Sequence, residues 1–257
     1  MSKLFDFIHR ERLKRRIRRY ATFLLRKDLT IYPQVLDPEA ERILVLAPHA
    51  DDETIGAGGT IIRHIEAGGE VIVAIFTDNR DSIPGQSPER AITIREDECR
   101  EAMSRLGVPH LRFLRVSPDE LLKYSGPVRQ LCSLVLEYEP HVLYLPTIFD
   151  EHQHHRMLNR ITGIALKKLS HVPRVIRAYE VWSAIIPNRV VDISPSYNRK
   201  IHALRAYSSQ LAEIDYIHHI QGLNAYRSMT IPGSRYAEAF MELPGGLFSR
   251  FVNTYLT

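Results

Sequence analysis

The sequence predicts an α/β domain with a mostly parallel sheet, helices on both of its faces, and a basic amphipathic helix in front of it. Three observations carry this. Short apolar runs end at proline or polar turns, helical patterns alternate with them, and several helices begin and end on recognisable caps.

In chain order, residues 1–28 hold ten Lys or Arg against three acids, a net of +7, which leaves the rest of a +4 chain at −3. Within that segment Phe5, Ile8, Leu13, Ile17, Ala21 and Leu24 recur at roughly helical spacing. A linker with Pro33 and Pro38 follows, placing an extension at 1–37 and the domain at 38–257. The first apolar run, 43–47, stops at Pro48, and a helix is expected over 54–66. A second run, 71–76, ends at Thr77-Asp78-Asn79. Ser87-Pro88 reads as an N-cap with proline at the first helical position, and Gly107 as the stop. A weaker run occupies 111–114, after which Ser117-Pro118-Asp119-Glu120 reads as a capping box. The run 141–145 ends at Pro146 and precedes a helix over 157–169. Two more strand-like runs, 175–182 and 189–193, lead to a long helical stretch from Tyr197 to about Arg227.

Composition narrows the function classes. An apolar content of 44% and a charged content of 25% are ordinary for a globular chain. Two cysteines cannot form a disulfide framework and fit a reducing, cytoplasmic compartment. No apolar run reaches the ~18 residues of a spanning helix, and no cleavable signal peptide is expected. The mildly acidic body does not suggest nucleic-acid binding. The basic segment has two readings: a helix lying on an anionic membrane surface, peripheral to the inner face, or one packed on this protein or on a second subunit of a homo-oligomer.

The clearest chemical signal is Pro48-His49-Ala50-Asp51-Asp52-Glu53, directly after the first run. Ligands of open α/β sheets bind beyond the carboxyl ends of strands. Three consecutive carboxylates beside a histidine call for a cation. His49 and Asp52 offer zinc-type ligands, and Asp51 remains free to take a proton from an activated water. The competing reading is a solvated turn with an Asp N-cap. The glycines at 56, 58 and 59 fail the dinucleotide frame, because Ile61 stands where its last glycine belongs. They are read instead as allowing close packing of the first helix on the sheet.

A second cluster, Asp150-Glu151-His152-Gln153-His154-His155-Arg156, follows the third run and should reach the same sheet edge. His152 and His155, three apart, can point to one place. One more imidazole would complete three protein ligands and leave a position for water. The scattered His9, His64, His110, His171, His218 and His219 are read as structural or surface residues.

Together the motifs resemble the PIG-L/LmbE-like zinc-dependent de-N-acetylases. The resemblance spans roughly 41–245 and rests on L-A-P-H-A-D-D-E-T-I-G-A-G-G-T at 46–60, V-I-V-A-I-F-T-D at 71–78, R-E-D-E-C-R-E-A-M-S-R-L-G-V at 95–108, H-Q-H-H-R at 152–156 and Y-A-E-A-F at 236–240. It implies a Rossmann-like fold and a hydrolase with one zinc per chain that removes acetyl from an amino sugar or sugar conjugate. By the same resemblance His49, Asp52 and His155 are the zinc ligands and Asp51 the general base. His152, in protonated form, would stabilise the oxyanion or serve the leaving amine, and Arg95 would contact substrate. Two positions depart from the family pattern. Gln153 and His154 replace a Pro-Asp pair whose Asp orients the first histidine, so that Asp150 or Glu151 would have to substitute. Asn79 stands where a glycine is usual, and asparagine tolerates the same left-handed backbone. The alternatives are a non-catalytic carbohydrate- or partner-binding module on this fold, and a zinc amidohydrolase acting on a non-sugar amide.

Overall fold

The computed structural model describes residues 33–256, so the basic segment 1–28 lies outside the described residues. Eight strands form one sheet: β1 (Gln34–Val35), β2 (Arg42–Ala47), β3 (Glu70–Thr77), β4 (His110–Val116), β5 (Val142–Pro146), β6 (Val175–Tyr179), β7 (Arg189–Asp192) and β8 (Ala237–Pro244). Their spatial order is β1-β7-β8-β6-β5-β2-β3-β4. The block β4-β3-β2-β5-β6 is parallel throughout. β8 runs antiparallel to both β6 and β7, and β1 pairs parallel with β7. The short β1 lies within the stretch read as linker: Gln34 N donates to Asn188 O and Leu36 N to Val190 O.

The parallel block explains the apolar runs. Along β2, Ile43, Val45 and Ala47 enter one core, and Leu44 and Leu46 the other. β3 divides in the same way, Val71, Val73 and Ile75 against Ile72, Ala74 and Phe76. A strand buried on both faces has no polar side and reads as an unbroken hydrophobic run. The first core is closed by helices α1 (Asp52–Glu66), α2 (Pro88–Leu106) and α6 (Tyr197–Leu204). The second is closed by α3 (Pro118–Lys123), α4 (Ser125–Tyr138), α5 (Gln153–Leu166) and α9 (Gly245–Tyr255).

Local chemistry sets the helix ends. Ser87 accepts from Arg90 N at the start of α2, and Gly107 ends it at φ 82°. Ser117 and Glu120 make the reciprocal capping box of α3. The expected long helix from Tyr197 is instead three: α6, α7 (Ser208–Leu211) and α8 (Tyr216–Arg227). The breaks have causes. Ser208 and Ser209 turn their hydroxyls to the buried Glu98 carboxylate, and the Asp215 side chain caps α8 through His218 N. β8 and α9 are not visible as periodic segments in the sequence.

The chain leaves β2 outward to β3 and β4, returns at β5 beside β2, and then builds β6 on the other side. The reversal between β2 and β5 opens a crevice at their carboxyl ends. Both motifs emerge there.

Helix α1 is held unusually close to the sheet. A Cβ at Gly56 would stand 2.2 Å from Tyr179 Cδ2 and 2.8 Å from Glu180 O, and one at Gly59 would stand 2.7 Å from Ile193. The buried Lys200–Glu238 pair, 2.7 Å apart, grips the same helical step: Lys200 donates to Ile55 O, and Glu238 accepts from Gly59 N and Thr60 N. Gly56→Ala should therefore cost about 1–3 kcal/mol by overpacking. Gly222→Ala on α8, whose new methyl meets nothing within 4 Å, should gain about 0.5–1 kcal/mol. Urea midpoints of the two variants test this, and equal shifts would remove close packing as the reason for glycine at 56.

Candidate metal centre and active-site cleft

The β2–α1 turn is built on Pro48, whose carbonyl accepts from Thr77 N and Thr77 Oγ1 at 2.9 and 2.8 Å. Asp51 stands at φ 145°, a sparsely populated conformation that its neighbours hold in place. Its N–H donates to Glu53 Oε2, and its carbonyl accepts from Ile55 N. Asn79 takes φ 57°, as expected for a residue replacing glycine, and its Oδ1 accepts from Ala50 N.

Asp52, the first residue of α1, is 2% exposed. Its Oδ2 lies 3.1 Å from His49 Nδ1 and 3.2 Å from His155 Nε2. One ligand atom from each of these three residues falls within 4.8 Å of the others, a spacing that a single ion can span. Burial works to raise the Asp52 pKa, but the two imidazoles outweigh it and hold the carboxyl well below the usual range. Burial likewise opposes charge on His155, yet Asp52 and Asp150 carry it up to about 10. Both His155 nitrogens are buried without a well-formed hydrogen bond among the described residues. A nitrogen left so beside a carboxylate and a second imidazole suits a cation.

Asp150 is the residue that sequence reasoning placed wrongly. It faces His155 Nδ1 at 3.3 Å rather than the His152 ring, and it accepts from His152 N and Trp182 N. Partners of this kind fix the orientation of a metal-binding imidazole.

His152 caps α5, with its Nδ1 accepting from His154 N at 3.2 Å. In a neutral ring the proton is then on Nε2. Burial and the neighbouring imidazoles push its pKa down to about 4. This favours the neutral ring, with Nε2–H as a donor, over the protonated form. His154 Nδ1 lies 2.9 Å from His49 Nε2, and burial with the same neighbours lowers its pKa to about 4. As a neutral ring it accepts the His49 Nε2 proton and leaves His49 Nδ1 free to ligate.

Asp51 is 5% exposed. Its Oδ2 accepts from Arg95 Nη2 at 2.9 Å. Burial pushes its pKa up to about 7 against the pull of Arg95, with Asp52 adding to the rise. Arg95 is 1% exposed and lines the cleft, but its guanidinium is committed to Asp51, to Ala50 O and to Glu98. Arg95 thus grips Asp51, while its Nε carries no hydrogen bond among the described residues. Glu53 is fully buried, taken by Tyr207 Oη at 2.5 Å and Thr54 Oγ1 at 2.7 Å. His49, Asp51, Asp52 and Arg95 floor a cleft of about 230 Å³ whose walls include Arg80, Trp182 and Tyr216. His64, among the histidines read as structural, bonds Tyr144 Oη and packs in the core.

A family profile described as PIG-L, GlcNAc-PI de-N-acetylase, matches residues 44–166, the segment that carries both motifs. Over that segment the chain is similar to the PIG-L family. It is 26% identical over 230 residues to a diacetylchitobiose deacetylase of Thermococcus kodakarensis, covering 80% of this chain and 85% of that one. It is 28% identical over 193 residues to a probable N-acetyl-alpha-D-glucosaminyl L-malate deacetylase of Bacillus cereus, covering 65% and 83%. The fold matches that of an N,N'-diacetylchitobiose deacetylase from Pyrococcus horikoshii with a TM-score of 0.73 and 24% identity, over 90% of this chain and 94% of that one.

His49→Ala or His155→Ala should abolish tight divalent-metal binding, whereas Asp150→Asn should weaken it by about 10–100-fold with the fold retained. Metal analysis after dialysis and calorimetric titration measure both, and a fully loaded His155→Ala protein would refute the trio.

Proposed function

We propose that this protein is a zinc-dependent hydrolase that removes the acetyl group from an N-acetylated amino sugar or sugar conjugate. The observation that supports it most directly is the Asp51 carboxylate, positioned by Arg95 beside the His49–Asp52–His155 trio at the floor of a cleft. A non-catalytic binding module has no need of such a group beside a metal trio. One carboxylate and two imidazoles suit zinc and leave room for water and substrate. When bound there, the cation would polarise the acetyl carbonyl and acidify a water to near neutral pH.

The remaining work falls to the chain's own residues. Asp51 accepts the water proton as its oxygen adds to the carbonyl carbon. With a pKa near neutrality it can return that proton to the departing amine nitrogen, so that one carboxylate serves as base and then as acid. His152 Nε2–H donates to the developing oxyanion, an interaction that strengthens only as charge builds there. Arg95 holds Asp51 at its strained backbone position and favours its ionised form. His154 keeps the His49 proton on Nε2. Protonation of Asp51 removes the base, so the rate should fall as pH drops through its pKa.

Acetate release from free, nucleotide-linked and lipid-linked N-acetyl sugars tests the reading. Asp51→Asn should keep its metal and lose about 10²–10⁴-fold in kcat. Arg95→Lys and Arg95→Gln should move the acid limb of the pH profile upward, because the guanidinium favours ionised Asp51. An unshifted limb in both would remove Arg95 from this role.

Among the described residues no helix is long and apolar enough to cross a membrane. The free Cys99 and Cys132 support a cytoplasmic setting, and for the basic segment 1–28 we favour peripheral contact with anionic lipid at about 1 kcal/mol per basic residue. Full-length protein should sediment with anionic but not neutral vesicles in a salt-sensitive way, and protein starting near Asp37 should not. Equal behaviour of the two would make the segment a packing or oligomerisation element.

A further inference from the structure

Trp182 is the single tryptophan of the chain, and it stands 47% exposed in the wall of the cleft. Its backbone is firmly held. Trp182 N donates to Asp150 Oδ2 at 3.1 Å, the oxygen that also faces His155. Glu151 N donates to Ser183 Oγ at 3.1 Å, which ties the loop after β6 to the loop after β5. Farther along, Ile185 N donates to Glu180 Oε1 at 2.8 Å, and Arg227 of α8 pairs with Glu180 and donates to Ile185 O. A loop pinned at four points yet presenting a large aromatic ring to solvent is preorganised for a ligand rather than for the core.

Tyr216, at the start of α8, lines the same cleft and meets Trp182 edge to face, with ring centroids 6.0 Å apart at 73°. The two rings do not stack on each other, which leaves flat apolar surface for a third. The Tyr216 hydroxyl has no hydrogen-bond partner among the described residues. The fields of Asp51 and Asp52 reach it and, with burial, push its pKa up, so it stays a donor.

The acetamide must lie between Asp51 and the trio, at the floor of the cleft. A group joined to the acetylated sugar can then reach the wall of the same cleft, which Trp182 and Tyr216 line. We propose that Trp182 and Tyr216 form a second subsite, which binds a six-membered polyhydroxylated ring joined to the N-acetylated sugar. Such a ring has a C–H-rich face for the indole and hydroxyls for the tyrosine. A pyranose and a cyclitol share this chemistry, whereas an acyclic hydroxy acid lacks the face. The inference rests on the deacetylase reading for its orientation.

The test compares four substrates: an N-acetylglucosamine disaccharide, an N-acetylglucosaminyl cyclitol, an N-acetylglucosaminyl hydroxy acid and free N-acetylglucosamine. Trp182→Ala should lower kcat/KM about tenfold, through KM, on the ring conjugates, and change the other two by less than about twofold. Trp182→Phe should keep most of the activity. A loss confined to one ring conjugate identifies which ring the subsite takes. The same change on all four substrates, or none on either ring conjugate, would overturn the proposal. Fluorescence gives a readout independent of turnover, because every tryptophan photon comes from this site. In metal-loaded Asp51→Asn protein the disaccharide should shift and quench the emission, and the monosaccharide should leave it nearly unchanged. If no substrate released acetate, the deacetylase reading would fall, and this titration would decide the subsite alone: quenching by the disaccharide sustains it, and silence rejects it.

Discussion

The Asp52 carboxylate, buried between the imidazoles of His49 and His155, is the interaction around which the rest of the site is arranged. A buried ionised carboxylate costs several kcal/mol unless opposite charge and hydrogen bonds surround it. Asp52 gains further from being the first residue of α1, where the positive end of the helix dipole favours an anion. Its neighbours are each offset differently. Asp51 is given Arg95, Glu53 is given the hydroxyls of Tyr207 and Thr54, and Asp150 is given His155 with two backbone N–H groups. Different compensation gives neighbouring carboxylates different proton affinities: Asp52 stays ionised while Asp51 titrates near neutral pH. One can ligate while the other moves a proton.

That arrangement needs α1 to begin at a fixed place over the sheet. The helix is pressed down because Gly56 and Gly59 allow Tyr179 and Ile193 into its surface, and the Lys200–Glu238 pair holds the step from Ile55 to Thr60. A side chain at either glycine would lift the helix and with it Asp51, Asp52 and the turn at His49. The second motif reaches the same point because β5 lies next to β2, with Val45 beside Tyr144. The switch in strand order, not any local sequence preference, brings residues about a hundred positions apart within hydrogen-bonding distance.

The departure from the family pattern at His154 has a structural answer. Where the family pattern places an aspartate, this chain has a neutral imidazole that accepts from His49 Nε2. A carboxylate partner stands four positions earlier as Asp150, facing His155 rather than His152. The local polarity is preserved with its components exchanged, and His152 favours the neutral donor form over the imidazolium.

By itself the sequence determined the parallel sheet, the caps at Ser87, Gly107 and Ser117, the close-packing role of the α1 glycines, and the two motifs with their ligand-type residues. These are legible because each depends on local periodicity, backbone preference or short spacing. Tertiary structure alone decided that Arg95 grips Asp51, that Asp150 serves His155, that the stretch from Tyr197 breaks at Ser208 and Asp215, and that β8 inserts antiparallel between β6 and β7. It also lowers the proton affinity of His152, because that depends on burial and on the neighbouring imidazoles, His49 among them from the other motif. Those outcomes rest on contacts between residues far apart in the chain, and no window of sequence contains both partners.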